Sequence, residues 1–267
     1  MDLYQVQGTR YVLQRNEWDW KKEPLGLLCI WESVAQAKEL GGGEELKYTV
    51  GVDTSDGMHD RTAIEVNRNG TASRPDELVA EWVGCVNPTL IPPIVYAIAK
   101  LFSTDDADAL LAIEMASNGR MVQSVLLNEY HYPNFYIWKV RDKIGNQASR
   151  SLGWVTNPQT KPLLWTKGFQ WMKDHKWKIN SPWFIGEVKD FGYNPVRQEA
   201  EATHGAFDDR LMAGFIALMC SKDWLTDQDV TASVEVEEVR KAVAVPNPQT
   251  LAISAEEADN ESGWVFY

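Results

Sequence analysis

The chain has 267 residues, 44% hydrophobic and 24% charged, with twelve tryptophans and a formal net charge of -12. That composition is globular and excludes disorder throughout. The longest apolar runs, 90–99 and 211–220, reach about half of the roughly 20 residues that a bilayer-spanning helix needs, so no membrane association is expected. Three scattered cysteines (Cys29, Cys85, Cys220) form neither a disulfide framework nor a metal-knuckle spacing, and the opening residues lack an apolar secretory core, so a reducing, cytosolic protein is expected.

In chain order, residues 1–46 carry no sustained period and run into Gly41-Gly42-Gly43, which predicts a lead-in or linker segment. The β-rich runs 48–53 (YTVGVD), 62–66 and 78–83 follow, the last two separated by a stretch holding Asn69-Gly70, and predict a three-stranded meander. Residues 88–102 read as a helix with Pro92-Pro93 near its first turn. LLAIE at 110–114 is continuously apolar and closed by an acid, as in a strand buried on both faces. A helix at 119–129, a strand at 135–140, a helix at 160–174 begun by Pro162 and a closing helix at 207–220 complete the series. This order predicts an α/β fold over 47–222, a mixed sheet flanked by helices on both faces. Residues 223–267 hold ten acidic against two basic residues and the break Pro246-Asn247-Pro248, and are expected to form a disordered acidic tail.

Against the global charge, the stretch 139–178 carries nine Lys and Arg against Asp142 and Asp174. Local charge therefore permits an anionic polymer as partner, with Lys161, Lys167, Lys173 and Lys178 as the phosphate-contacting candidates and a solvated helix face as the alternative for any one of them. The tryptophans between Trp138 and Trp177 are read mostly as core.

Acids stand at an end of three of the elements. Asp53 ends the first meander strand, where a turn role would account for it alone. Glu114 ends LLAIE, where apolar neighbours would desolvate a carboxylate and a cation is needed. Asp208 and Asp209 open the last helix, where capping and the helix dipole offer a sufficient account of each alone. Together they say more, because strands 48–53 and 110–114 of a meander followed by a βα unit lie side by side in parallel. Asp53 and Glu114 then emerge adjacent, and at about 4 Å and an effective dielectric near 20 each carboxylate pair repels by roughly 4 kcal/mol. Divalent metal relieves that repulsion. Oxygen-only ligands select Mg²⁺ or Mn²⁺, and two such ions about 4 Å apart activate a water and stabilise the leaving 3′-oxygen of a phosphodiester. Asp60 is a weaker fourth acid and His204 a proton-shuttle candidate, and a polar loop residue is the better account of each.

Four phrases in register, YTVGVDTSDGMHDRTAIEV, LLAIEMASNG, SLGWVTNPQTKPLL and HGAFDDRLMAGFIAL, resemble the C-terminal nuclease domain of the large terminase subunit of tailed bacteriophages. The resemblance covers about residues 25–222 and implies a ribonuclease H-like fold. It implies a metal-dependent endonuclease that cuts concatemeric viral DNA during genome packaging, with catalytic and metal-binding acids at Asp53, Glu114 and the Asp208-Asp209 pair, undecided within that pair. Two Mg²⁺ or Mn²⁺ ions, double-stranded DNA, an ATPase motor domain, a small terminase subunit and a portal are the implied cofactors and partners, in the cytoplasm of an infected bacterial host. No G-x-x-x-x-G-K-[ST] phosphate loop occurs, so ATP-driven packaging is not expected of this chain alone, which reads as an isolated nuclease domain. A junction resolvase or polynucleotidyl transferase on the same fold, and a catalytically inactive assembly module, are the competing readings.

Overall fold

The computed structural model describes residues 8–14, 19–41, 43–57, 60–116, 118–141, 148–194, 199–203 and 205–222. The tail expected at 223–267 and the shuttle candidate His204 lie outside the described residues. Strands β1 (Thr9–Gln14), β2 (Asp19–Lys22) and β3 (Leu28–Ile30) and helix α1 (Val34–Leu40) precede the meander β4 (Tyr48–Asp53), β5 (Thr62–Arg68) and β6 (Asp76–Gly84). A 3-10 turn at Pro88–Leu90 leads into α2 (Ile91–Leu101), then β7 (Leu110–Ile113), α3 (Gly119–Asn128) and the hairpin β8 (Ile137–Arg141) with β9 (Ala148–Leu152). Helix α4 (Thr160–Lys173), β10 (Trp177–Ile179), α5 (Pro182–Lys189), the hairpin β11 (Phe191–Asn194) with β12 (Glu199–Ala202), and α6 (Asp209–Lys222) finish the chain as described.

The main sheet runs β2-β1-β3-β6-β5-β4-β7, with β10 added in parallel to β6. Neighbours along that path are antiparallel except β4 and β7, which run parallel with Val52 opposite Ile113. The fold is therefore a mixed α/β sheet, and it carries helices on both faces. Alternation along β4 and β5 sends Val50, Val52, Ile64 and Val66 to one face, where they pack beneath α2 and α3 through Val95, Ile98, Val122 and Leu126. The opposite face is covered by α4, α5 and α6, whose Leu164, Trp165, Phe184 and Phe215 form a second apolar cluster. Helix α6 approaches β4 closely because Gly51 has no side chain, and a Cβ there would collide with the Ala213 carbonyl oxygen and the Ala217 backbone. Trp138, Trp154, Trp165 and Trp177 are all buried in this second layer.

Residues 1–46 differ from the linker expected of them. Where described, they extend the sheet: β3 pairs with β6 through Leu28↔Trp82 and Ile30↔Ala80, and Leu28 and Ala37 are fully buried. Strands of three to six residues are too short to display a period, and β6, the strand that joins them to the rest of the sheet through β3, is encoded about fifty residues downstream of β3. Gly41 ends α1, its N–H donating to the Ala37 carbonyl at 2.9 Å. Among the described residues, no helix is long and apolar enough to cross a membrane.

Candidate metal centre

Asp53 is the last residue of β4 and Glu114 follows the last residue of β7, so the parallel pairing of these strands delivers both carboxyls to the same sheet edge. Glu114 is held from two sides: its N–H donates to the Val52 carbonyl at 2.8 Å, and it forms a parallel bridge with Trp154. The Trp154 N–H donates to Ile113 at 2.7 Å and the Met115 N–H to Trp154 at 2.8 Å. Gly153, at φ +83°, makes that bridge possible, since its backbone passes the Ile113 carbonyl with no room for a side chain. Burial pushes the Asp53 carboxyl well above its ordinary value, and the charge of Glu114, a hydrogen bond shared with Glu114, and the charges of Asp209 and Asp208 push it further. The two carboxyls are thus close neighbours at the sheet edge, and each disfavours charge on the other.

The Asp208-Asp209 pair divides around the N-terminus of α6. Asp208 precedes the helix, its carbonyl accepting from the Met212 N–H at 2.8 Å. Burial raises its carboxyl, the Lys161 charge opposes that, and Asp60 and Glu114 add to it. Asp209 is the first residue of the helix. Burial pushes its carboxyl up to about 7 against the opposing hydrogen bond and charge of Arg61, with Asp60 and Glu187 adding to the rise. Arg61 donates to Asp209 Oδ2 from Nε at 2.9 Å and reaches the same oxygen from Nη2 at 2.8 Å, while Nη2 also donates to Glu187 Oε1 at 2.9 Å. Glu187 in turn satisfies first-turn N–H groups of α6 that have no partner within the helix, accepting at Oε2 from Arg210 at 2.8 Å and from Leu211 at 3.3 Å. Arg210 Nη1 donates to Glu187 Oε1 at 2.9 Å.

The donor chemistry suits a hard divalent cation, because the clustered side chains offer only carboxylate oxygens and Asp53 feels three other acids. The positions go half of the way. Among the described residues, no group of three or more His, Cys, Asp or Glu side chains stands together so as to hold a metal ion. Asp53 and Glu114 stand together as a pair of carboxyls, with Asp208 and Asp209 near enough to raise the Asp53 carboxyl.

Of the basic stretch 139–178, the side chains from 139 to 151 lie outside the described residues. Lys161, in the first turn of α4, is close enough to Asp208 to lower its carboxyl pKa. Lys167 and Lys173 are exposed, but each six-residue step turns a helix by about 240°, so the three lysines leave α4 on three different sides. Lys173 also stands about 18 Å farther along the axis than Lys161. Lys178 donates to Glu77 at 2.7 Å, away from the Asp53–Glu114 pair. Only Lys161 of these four lies beside the acids.

Sequence reading missed Arg61, Glu187 and Arg210, and also Glu65 and Glu81, which sit opposite each other in β5 and β6 and are both buried. One local signal existed for them: Glu65 stands between Ile64 and Val66 in the otherwise apolar core of a strand. Searches against protein-family models and against curated proteins found no match to this chain.

Proposed function

We propose that this chain is a metal-dependent DNA endonuclease of the ribonuclease H-like type, the cutting module of a viral genome-packaging terminase. The observation that carries the reading is the Asp53–Glu114 pair, two carboxyls brought together at the carboxyl edge of adjacent parallel strands, with Asp208 and Asp209 within electrostatic reach. The strand order β6-β5-β4-β7, a meander followed by a strand parallel to its first member, is the arrangement that the motif resemblance calls for and supports the same reading. Mg²⁺ or Mn²⁺, when bound, would supply Lewis acidity toward a water and a phosphodiester oxygen. Asp53 and Glu114 would hold the cation, one member of the Asp208-Asp209 pair would complete its ligands, and Lys161 would neutralise a phosphate of double-stranded DNA next to them. A second ion, an ATPase motor, a small terminase subunit, a portal and the cytoplasm of an infected bacterium enter only with the terminase resemblance.

The test is nicking of supercoiled plasmid by the full chain with Mg²⁺ or Mn²⁺ and without ATP. Wild type is expected to cut, and Asp53→Asn and Glu114→Gln to lose on the order of 10³-fold or more in rate, about 4 kcal/mol of transition-state stabilisation. Equal cleavage by all three proteins at matched purity removes the assignment. Preference for four-way junctions over linear duplex would move it to a resolvase. The arginine bound to Asp209 favours the inactive assembly module as the remaining alternative. That reading requires no Mn²⁺-dependent change in melting temperature at all.

A further inference from the structure

The half-formed state of the centre has a particular geometry: an arginine occupies the carboxylate that a third ligand would supply. Arg61 precedes β5 and sends its guanidinium across to the start of α6. Nε and Nη2 converge on one oxygen of Asp209, at 2.9 and 2.8 Å, and the side chain of Asp209 is only 8% exposed. The guanidinium lies over the Phe207 ring at 3.9 Å from its centroid, which fixes its plane. Its second partner, Glu187, is anchored independently by the N–H groups of Arg210 and Leu211. Arg61 can therefore release Asp209 and keep an ion pair with Glu187, so the exchange leaves the partly buried guanidinium with a counter-charge.

We propose that Arg61 is a built-in counter-ion that competes with divalent metal for Asp209. It neutralises the acid while the centre is metal-free, and it sets the metal concentration at which a third carboxylate joins Asp53 and Glu114. A guanidinium and a divalent cation cannot share the same carboxylate oxygen without strong like-charge repulsion, so binding one weakens the other. Arg61 acts here through Asp209, as a positioning residue, and the inference rests on the metal-dependent nuclease reading.

Mn²⁺ binding to the full chain, counted by loss of the free-ion electron paramagnetic resonance signal, separates the two ideas without any activity assay. Arg61→Gln is expected to bind Mn²⁺ about tenfold more tightly than wild type, within the usual range of coupling between two ligands of one site. Arg61→Lys, which keeps the charge and loses the two-pronged contact, is expected to fall between them. Asp53→Asn should remove Mn²⁺ binding in either background. Should Arg61→Gln fail to fold, Phe207→Leu removes the stacking face alone and is expected to tighten Mn²⁺ binding in the same direction. Damage to the fold would weaken metal binding, so tightening has no trivial explanation. Asp53-dependent binding by wild type with equal or weaker binding by folded Arg61 variants overturns the counter-ion and leaves the nuclease reading standing. No Mn²⁺ binding by wild type or any Arg61 variant overturns both.

Discussion

Two clusters of buried carboxylates sit at opposite ends of the β4–β5 hairpin, and their charges are balanced in opposite ways. At the end where Tyr48 faces Arg68, Glu32 and Glu77 meet Arg68, Arg74 and Lys178. Arg68, with no exposed side-chain surface, donates to Glu32 at 2.7 Å and to Glu77 at 2.6 Å. Burial alone would raise the Glu77 carboxyl, but hydrogen bonds from Lys178 and Asn180, the Lys178 charge and the Arg68 hydrogen bond leave it below its ordinary value. At the other end, where Asp53 faces Ala63, six acids (Asp53, Asp60, Glu114, Glu187, Asp208 and Asp209) face Arg61, Lys161 and Arg210, and Asp53 is driven well above its ordinary value. Burial of a carboxylate therefore does not by itself mark a binding site. Burial with acids in excess of cations is what the metal-centre proposal rests on, because that surplus charge is what an added divalent ion would relieve.

The largest test of this contrast is to break the balanced cluster. Arg68→Met leaves Glu32 and Glu77 buried without their shared cation and is expected to cost about 3–5 kcal/mol in urea unfolding. Asp53→Asn, at the unbalanced end, should leave metal-free stability unchanged or raise it, because it removes repulsion. Similar losses from both substitutions would erase the distinction between the clusters.

A second, smaller effect concerns Glu65, whose carboxyl lies between β5 and α6 near Glu81, Arg210 and Glu187. Neither of its oxygens meets a hydrogen-bond donor among the described residues. Burial, then the Glu81 charge, raises its carboxyl well above the ordinary 4.5, with Arg210 opposing. The folded state thus holds this proton more tightly than the unfolded chain does. Its contribution to stability is complete below 4.5 and is lost as pH rises from there toward the folded value. Glu65→Gln should therefore flatten the fall of the urea midpoint between pH 5 and pH 8 and be more stable than wild type at pH 8. An unchanged slope would mean that Glu65 is ionised in the fold and paired.

The smallest effect is electrostatic and concerns DNA. In an Asp53→Asn background, Lys161→Ala should lower the slope of log affinity against log salt by about 0.9, the contribution of one neutralised phosphate. Lys167→Ala and Lys173→Ala, on other sides of α4, should each change it by less. Equal changes at all three positions would place DNA along the whole helix and away from the acid cluster.

Much of this was legible in local pattern. The run YTVGVD became β4 without a shift in either boundary, and LLAIE became β7 with Glu114 just past its end. Alternating or continuous apolar residues define a strand wherever both its faces are buried, and an acid closing such a run stands out against it. That Asp53 and Glu114 would emerge together followed from the order of elements, since a meander and one crossover place those strands side by side. The helix opened by Asp208 and Asp209 began at Asp209, two residues later than expected, because the chain through Phe207 and Asp208 is not yet helical.

Pairings across long stretches of chain were decided elsewhere. The incorporation of β1–β3 into the sheet depends on β6, and no pattern within three to six residues announces it. The partner of Asp209 is Arg61, 148 residues earlier, and the second partner of Arg61 is Glu187, 126 residues later. The sequence by itself determined which acids leave the sheet edge, through periodicity and burial that operate over a few residues. Only the tertiary structure decided which of those acids meet a cation of the same chain, because ion pairing depends on distances that packing sets between elements far apart in sequence.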